Sequence, residues 1–501
     1  SKNTWGYIYT EIRSDCKFIE IPKRYISMED FTDNEYKLTY YINPEYVEND
    51  NYKGHIIIEN TYQDMEVTIG IRKPILEDFV PARKVNDRHA IKTNQVRLID
   101  SYLDFCVGRI RLEEYLDKSR FALNNLIQYV PHSHMYRLGL MHMNILAGDT
   151  EVVRQEMVRI DADGSKLIEG NRENSYYNYL KACMTKEPEA IDKAAQIIRA
   201  GANNQEDKLF SFWLLMHLDS EYSEDKLVLY KRIEQLYAEG LRSPIMYYEV
   251  CNIYNNEPLV LRQIDDLAIA AIRWGLRQNF VSDEIKEIFV KLSGRVRHFS
   301  SPVLAILREI YEDNKDKDCL FAICSLLIKD NKLENKYNPY FKKAIEENLK
   351  LISINEAYIR SLDFTSYGII LHQALLYLNY KNTLNEEELA YVYANIVTNK
   401  SIYRNIYQEY TYNIEAFMEE QILKGNMSDD LSVIYAEFLN PKTIKSQYAA
   451  KLVNIIFKRK LTCNNELVKM VVVTHKELAK EEMVPLVNGV AYIDIINDSA
   501  A

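Results

Sequence analysis

The chain has 501 residues, 73 acidic against 62 basic side chains for a formal net charge of −11, and only 15 glycines and 12 prolines. That length exceeds one ordinary core, so several domains or an extended repeat array is expected, and the scarcity of breakers favours helix. The acidic balance argues against a nucleic-acid partner, and the absence of any apolar run near the roughly 20 residues of a membrane helix argues against a membrane span.

In the first 80 residues the apolar side chains alternate. Tyr36, Leu38, Tyr40 and Ile42 form one such series, Met65, Val67, Ile69 and Ile71 another, and "KFIEIP" and "GHIIIEN" are short β-branched or aromatic runs. Period two predicts strands, with turns at Asn43-Pro44, Asn49-Asp50-Asn51 and Lys53-Gly54. An antiparallel, sandwich-like β domain is therefore expected over 1–80. The polar text "KVNDRHAIKTNQ" reads as a linker placed at 81–94.

From 95 to 480 apolar residues recur three and four apart, beginning with Leu98, Tyr102, Phe105, Ile110, Leu112, Tyr115 and Leu116. Helix after helix follows, joined by short polar loops. Gly201, Gly240 and Gly275, 39 and 35 positions apart, are each followed by an apolar residue. A left-handed glycine past a helix end would pack Ala202 on Ile197, Leu241 on Leu236 and Leu276 on Ala271, a recurrent stop at the period of stacked helical hairpins. Ser243-Pro244 and Ser282 or Asp283 then offer caps for the next helices.

"LIQYVPHSHMYRLGLMHMNILAGDTEVVRQEM" resembles a degenerate tetratricopeptide-type unit. Pro131 precedes the helix, Leu138-Gly139 lie in its first half, and Gly148-Asp149 form the turn, with Asp149 capping a helix from near Thr150. Val152 and Val153 stand where such repeats use alanine, so the resemblance implies a repeat of irregular period. Further helices are expected over Pro339–Leu351, Glu386–Val397, Ile402–Leu423 and Ser428–Phe438, and in "KTIKSQYAAKLVNIIFKRKL". Val484–Val487, an Asn488-Gly489 turn and Val490–Ile496 read as a hairpin. It would make 481–501 either the start of a truncated β domain or strands that complete the N-terminal sheet. The predicted fold class is mainly α: an irregular tetratricopeptide-like α-solenoid with a small N-terminal antiparallel β domain and a short C-terminal β hairpin.

"GYIYTEIRSDCKFIEI", Asp30-Phe31 and "PLVNGVAYIDI", in this β, helical, β order, resemble an uncharacterised family of very large clostridial proteins. The resemblance implies a domain order, with this chain as the front portion, and no activity. The opening Ser1-Lys2-Asn3 lacks Met and an apolar signal core, which reads as a start already removed. Cys16, Cys106, Cys183, Cys251, Cys319, Cys324 and Cys463, odd in number and scattered, read as reduced buried thiols and a cytoplasmic chain.

No residue stands out as catalytic, cofactor-binding or metal-ligating. His132, His134 and His142 lack a convergent acidic or thiolate partner, and Cys319 and Cys324 have no second pair. Glu346-Glu347, Glu386-Glu387-Glu388, Glu419-Glu420 and Glu481-Glu482 point about 100 degrees apart on a helix and read as solvated faces. Tyr403, Tyr407, Tyr410, Ile414 and Phe417 make a helical stripe that reads as core rather than a ligand ledge. The basic clusters Arg295, Arg297, His298 and Lys458-Arg459-Lys460 read as neutralising helix ends or local acids. No phosphate loop, nucleophile elbow or zinc-protease motif occurs. The expectation is a non-enzymatic scaffold or interaction module that binds a protein or peptide partner along helical repeats. The alternative is a carbohydrate-active enzyme in which helical hairpins close into an α/α toroid beside a β-sandwich.

Overall fold

The structure, a computed structural model, describes residues 9–27, 30, 36, 38–43, 46, 51–60, 64–72, 82–162, 172–202, 205–380, 383–440, 444–465, 467–474, 481–487 and 489–495. Alternating text gives six strands at the front: β1 (Tyr9–Ser14), β2 (Ile19–Glu20), β3 (Tyr25–Ser27), β4 (Tyr41–Ile42), β5 (Asn51–Asn60) and β6 (Asp64–Arg72). One sheet has the order β3-β1-β5-β6, β2 pairs with β4, and all pairings are antiparallel. Ile12, Ile26 and Ile56 from the larger sheet bury together with Phe18 and Ile19. Lys53-Gly54, expected in a turn, lies inside β5. Gly54 is needed there because a Cβ would fall on Cys16 Sγ and within 2.8 Å of Phe18 Cε1. The series Tyr36 to Ile42 forms strand only at Tyr41–Ile42 among its described residues. Pro44, Asn49 and Asp50 of the expected turns lie outside the described residues.

The helices follow in chain order. The first ten are α1 (Ala82–Cys106), α2 (Leu112–Tyr129), α3 (His134–Ala147), α4 (Thr150–Ala162), α5 (Arg172–Thr185), α6 (Pro188–Ala200), α7 (Gln205–Leu218), α8 (Ser220–Glu224), α9 (Lys226–Ala238) and α10 (Pro244–Asn256). Next come α11 (Asp266–Arg277), α12 (Asp283–Ser293), α13 (Ser301–Asn314), α14 (Lys317–Lys329), α15 (Asn338–Glu346) and α16 (Ile354–Arg360). The last are α17 (His372–Tyr380), α18 (Glu386–Thr398), α19 (Arg404–Lys424), α20 (Asp429–Phe438), α21 (Ser446–Ala449) and α22 (Val453–Ile456). Four strands end the chain: β7 (Lys458–Thr462), β8 (Met470–Val473), β9 (Glu482–Pro485) and β10 (Val490–Asp494). The chain is thus mainly α with short strands at either end.

The polar text expected as a linker is helical from Ala82. Its buried or half-buried positions from Ala90 to Ser101 are Ala90, Ile91, Thr93, Asn94, Leu98 and Ser101, and three of them are polar. Asn94 donates to Ala90 O at 2.8 Å and Ser101 donates to Arg97 O, so each satisfies itself on its own helix. "KRKL", expected as the end of a helix, is strand β7 paired with β10. The expected terminal hairpin reduces to a bridge between Val487 and Val490, because β9 pairs instead with β8.

One of the three glycine stops holds. Gly240 has φ +95, its N–H reaches Tyr237 O at 3.0 Å, and Leu241 N–H reaches Leu236 O at 3.0 Å, the double bond of a Schellman end. Gly201 is right-handed at φ −79, and Gly275 lies inside α11. The stop there is Asn279 at φ +53, with Phe280 N–H on Gly275 O at 2.8 Å. Gly275 serves packing: a Cβ would meet Val281 Cγ2 at 2.6 Å and Cys251 Sγ at 2.7 Å. Left-handed Gly108, Gly148, Asn331, Asn348 and Gly425 close other helices with the same bond pattern. The caps Ser243, accepting from Ile245 N, and Ser282, accepting from Ile285 N, stand as expected.

The chain divides into two compact units, Ser1–Ala322 and Ile323–Ala501, a division that falls within α14 rather than at either end of the helical region. In the first unit α3 packs on α4 and α5, α5 on α6 and α7, α10 on α11 and α12, and α11 on α13. The β layer is fastened to these helices by Tyr41 Oη donating to Asp266 Oδ1 at 2.9 Å and by Ser301 N–H donating to Glu20 Oε2 at 3.1 Å. In the second unit α16 packs on α17 and α18, α17 on α19, and α18 on α19 and α20. Its terminal strands join α20 through Asp429, which receives Lys460 Nζ at 2.5 Å and the Tyr492 hydroxyl.

Candidate functional site: an aromatic cavity in the first unit

In the first unit α1 returns against α10. Tyr248 Oη donates to Cys106 O at 3.3 Å, and Arg109 Nη2 donates to Gln278 O at 2.8 Å beyond the end of α11. The helices between line a half-open cavity of about 360 Å³. α1 supplies Leu98, Ile99 and Tyr102, α2 supplies Tyr115, Ser119 and Leu123, and α3 supplies Met135, Tyr136, Gly139, His142 and Met143. Tyr176 of α5, Leu209, Phe210, Phe212 and Trp213 of α7, and Ser243, Ile245 and Met246 at the start of α10 complete it. Gly139 lets α3 approach α2, since a Cβ there would stand 2.8 Å from Leu123 Cδ2.

The walls are built by rings meeting edge to face. Tyr102 and Trp213 are 5.9 Å apart at 83°, and Tyr176 and Phe210 5.3 Å apart at 89°. His142 lies among Tyr176, Tyr179 and Trp213, with Nδ1 2.9 Å from Tyr176 Oη. Burial pushes its pKa down to about 4, so the ring is neutral at physiological pH. Tyr102 Oη lies 3.2 Å from His217 Nε2, and desolvation raises the phenol well above its ordinary range. One turn beyond Ile245, Glu249 is buried, and desolvation raises its carboxyl to about 7. Two polar atoms of the lining have no protein partner at normal hydrogen-bond geometry: Ser119 Oγ, near the Tyr115 hydroxyl, and Trp213 Nε1, near the Tyr102 hydroxyl. Among the described lining residues there is no Asp, Glu, Lys or Arg. Such a surface can hold an apolar ring and donate hydrogen bonds, but it brings no pair of carboxylates together.

Residue patterns that spanned the chain point to one kinship. The model of a family of unknown function (DUF5717), N-terminal, matches residues 1–501. The chain belongs to this family. No curated protein and no solved structure matches the chain. In this DUF5717 N-terminal chain the histidines noted in sequence are separated by environment: His132 is exposed, His134 opens α3 half-buried, and His142 is turned into the cavity wall. Among the described residues no three His, Cys, Asp or Glu side chains are placed to hold a metal ion, and no helix is long and apolar enough to cross a membrane.

The carboxylate runs are engaged in caps and surface pairs. Glu388 closes a capping box with Asn385, Glu386 and Glu420 both take Lys424, and Glu347 takes Lys343 at 3.0 Å. Lys458 lies 3.9 Å from Asp494 and Lys460 2.5 Å from Asp429, so this basic cluster does face local acids. All seven cysteines are free, with Cys251, Cys319 and Cys324 buried. The tyrosine stripe is core at Tyr403, Tyr410, Ile414 and Phe417; Tyr403 Oη donates to Ile370 O at 3.0 Å and accepts from Ile370 N–H. Trp213, Ser119 and Glu249 were not singled out from sequence. The available signal was α7, whose "LFSFWLLMHL" is apolar on every side and so must be covered all round.

Proposed function

We propose that this chain is a non-enzymatic interaction module, a tetratricopeptide-like helical repeat that binds a protein or peptide partner along its helices. The observation that carries the reading is the order of packing. α3, α5, α10, α16 and α18 each contact both the next helix and the next but one, the arrangement by which hairpins stack and present a continuous surface. On α2 and α4, Phe121, Val152 and Val158 remain 61%, 56% and 68% exposed, apolar anchors of the kind a partner segment covers.

The glycosidase alternative needs two facing carboxylates in a central funnel. The cavity at the centre of the first unit is lined by aromatic and aliphatic side chains instead, which favours binding over hydrolysis. Affinity capture with the full chain and with its Phe121→Lys/Val158→Lys variant tests the reading. The expected result is a protein retained by the natural chain and lost by the variant. Equal capture by both, or release of reducing sugar from a glycan by the purified chain, overturns it.

A further inference from the structure

We propose that the cavity between α1, α2, α3, α7 and the start of α10 is a binding site for a small, uncharged aromatic molecule that carries a hydrogen-bond acceptor. The inference does not rest on the protein-partner reading, since the cavity is a separate feature from the exposed residues of α2 and α4. Its volume of about 360 Å³ lies in the range of small-molecule sites. Tyr102, Tyr115, Phe210 and Trp213 supply ring surfaces with little rotamer freedom to lose, which suits a flat apolar ligand.

The polar requirement comes from two side chains. Buried polar groups are normally paired, and leaving one unpaired costs free energy. Ser119 Oγ and Trp213 Nε1 make no hydrogen bond at normal geometry, each standing beside a tyrosine hydroxyl, that of Tyr115 and that of Tyr102. The indole N–H can only donate, so whatever completes it must accept. No Asp, Glu, Lys or Arg lines the cavity, so an anion entering would give up its hydration with no counter-charge in return. An aryl ketone or a neutral heteroaromatic ring fits these terms.

Four probes of similar size separate the claims: acetophenone, which has ring and acceptor; ethylbenzene, which has the ring alone; benzoate and phenyltrimethylammonium, which carry charge. Binding to the full chain is read by saturation-transfer NMR and by the indole N–H resonance of Trp213, assigned as the one missing from Trp213→Phe. Acetophenone should bind about fivefold more tightly than ethylbenzene, the factor of one net hydrogen bond. Benzoate should bind at least about tenfold more weakly than acetophenone, as expected for an unpaired buried charge. Trp213→Phe keeps a ring but not the donor, and should bring acetophenone down to ethylbenzene while leaving ethylbenzene unchanged. If that variant does not fold, the acetophenone to ethylbenzene ratio on the natural chain and on Ser119→Ala decides. Equal affinities of these two for the natural chain, tighter binding of either ion, or no binding of any probe overturns the proposal.

Discussion

Buried ionisable residues set the pH behaviour of the first unit. His142 has a folded pKa of about 4 against 6.5 in an open chain, so the unfolded state takes up its proton first and stability falls as pH drops from about 6.5 to 4. Glu249 runs the other way. Its folded pKa of about 7 against 4.5 means the unfolded state releases its proton first, and stability falls as pH rises from about 4.5 to 7. Between those limits the two slopes oppose one another. Glu249→Gln removes only the second, so the variant should gain stability over the natural chain progressively above pH 4.5, by up to ~3 kcal/mol at pH 7. Urea unfolding from pH 4 to 8 measures it; a difference that does not change with pH contradicts the assignment. A second residue-scale test is Tyr410→Phe. Tyr410 is 2% exposed and donates to Leu375 O, so loss of the hydroxyl removes a buried hydrogen bond and should cost about 0.5–1.5 kcal/mol. A cost near zero would mean that the hydroxyl is not engaged.

At the scale of elements, helix ends rather than helix bodies carry the specific geometry. Gly240→Ala places a Cβ at φ +95 and should cost about 1–2 kcal/mol, although nothing stands within 4 Å of it. Gly275→Ala should cost about 1–3 kcal/mol for the opposite reason, a helical φ with Val281 and Cys251 in the way. Adding Val281→Ala to Gly275→Ala should give a double variant less destabilised than the sum of the two, whereas the same addition to Gly240→Ala should be additive. Thermal unfolding of the set checks both, and rescue of Gly240→Ala by Val281→Ala would contradict the account. The two glycines looked alike in sequence because Gly-Leu-Arg follows the same apolar face in each; only the neighbours in space distinguish a turn from a contact.

The same limit explains what else was legible. Helices with an uninterrupted apolar stripe and a polar cap, such as α18 after Asn385 and α20 after Ser428, were readable to within a residue or two. The first half of α1 was not, since polar Asn94 occupies a core position there. Of the terminal strands β9 and β10 were legible but mispaired, because the Asn488-Gly489 signal is local while the pairing of β7, which reads as helix, with β10 joins residues far apart in sequence. The cavity was invisible in sequence: its wall draws residues from five helices and the start of a sixth, and no local pattern links Ser119 to Trp213.

For the molecule as a whole, each of the two units is a succession of helices in which neighbours cover one another's apolar faces, with β strands fastened to the helices by a few polar contacts. Such arrays derive stability from nearest-neighbour interfaces and leave long surfaces free for recognition. The central claim is that this surface, rather than a reaction centre, is what the chain contributes. Site-specific photo-crosslinking tests it most directly, with p-benzoylphenylalanine placed in the full chain at Phe121, Val152 and Val158, and at the exposed Arg277 of α11 as a control. The account predicts one and the same protein joined to the α2 and α4 positions and absent from the control; no adduct at any of them, with turnover of a glycan by the purified chain, would contradict it.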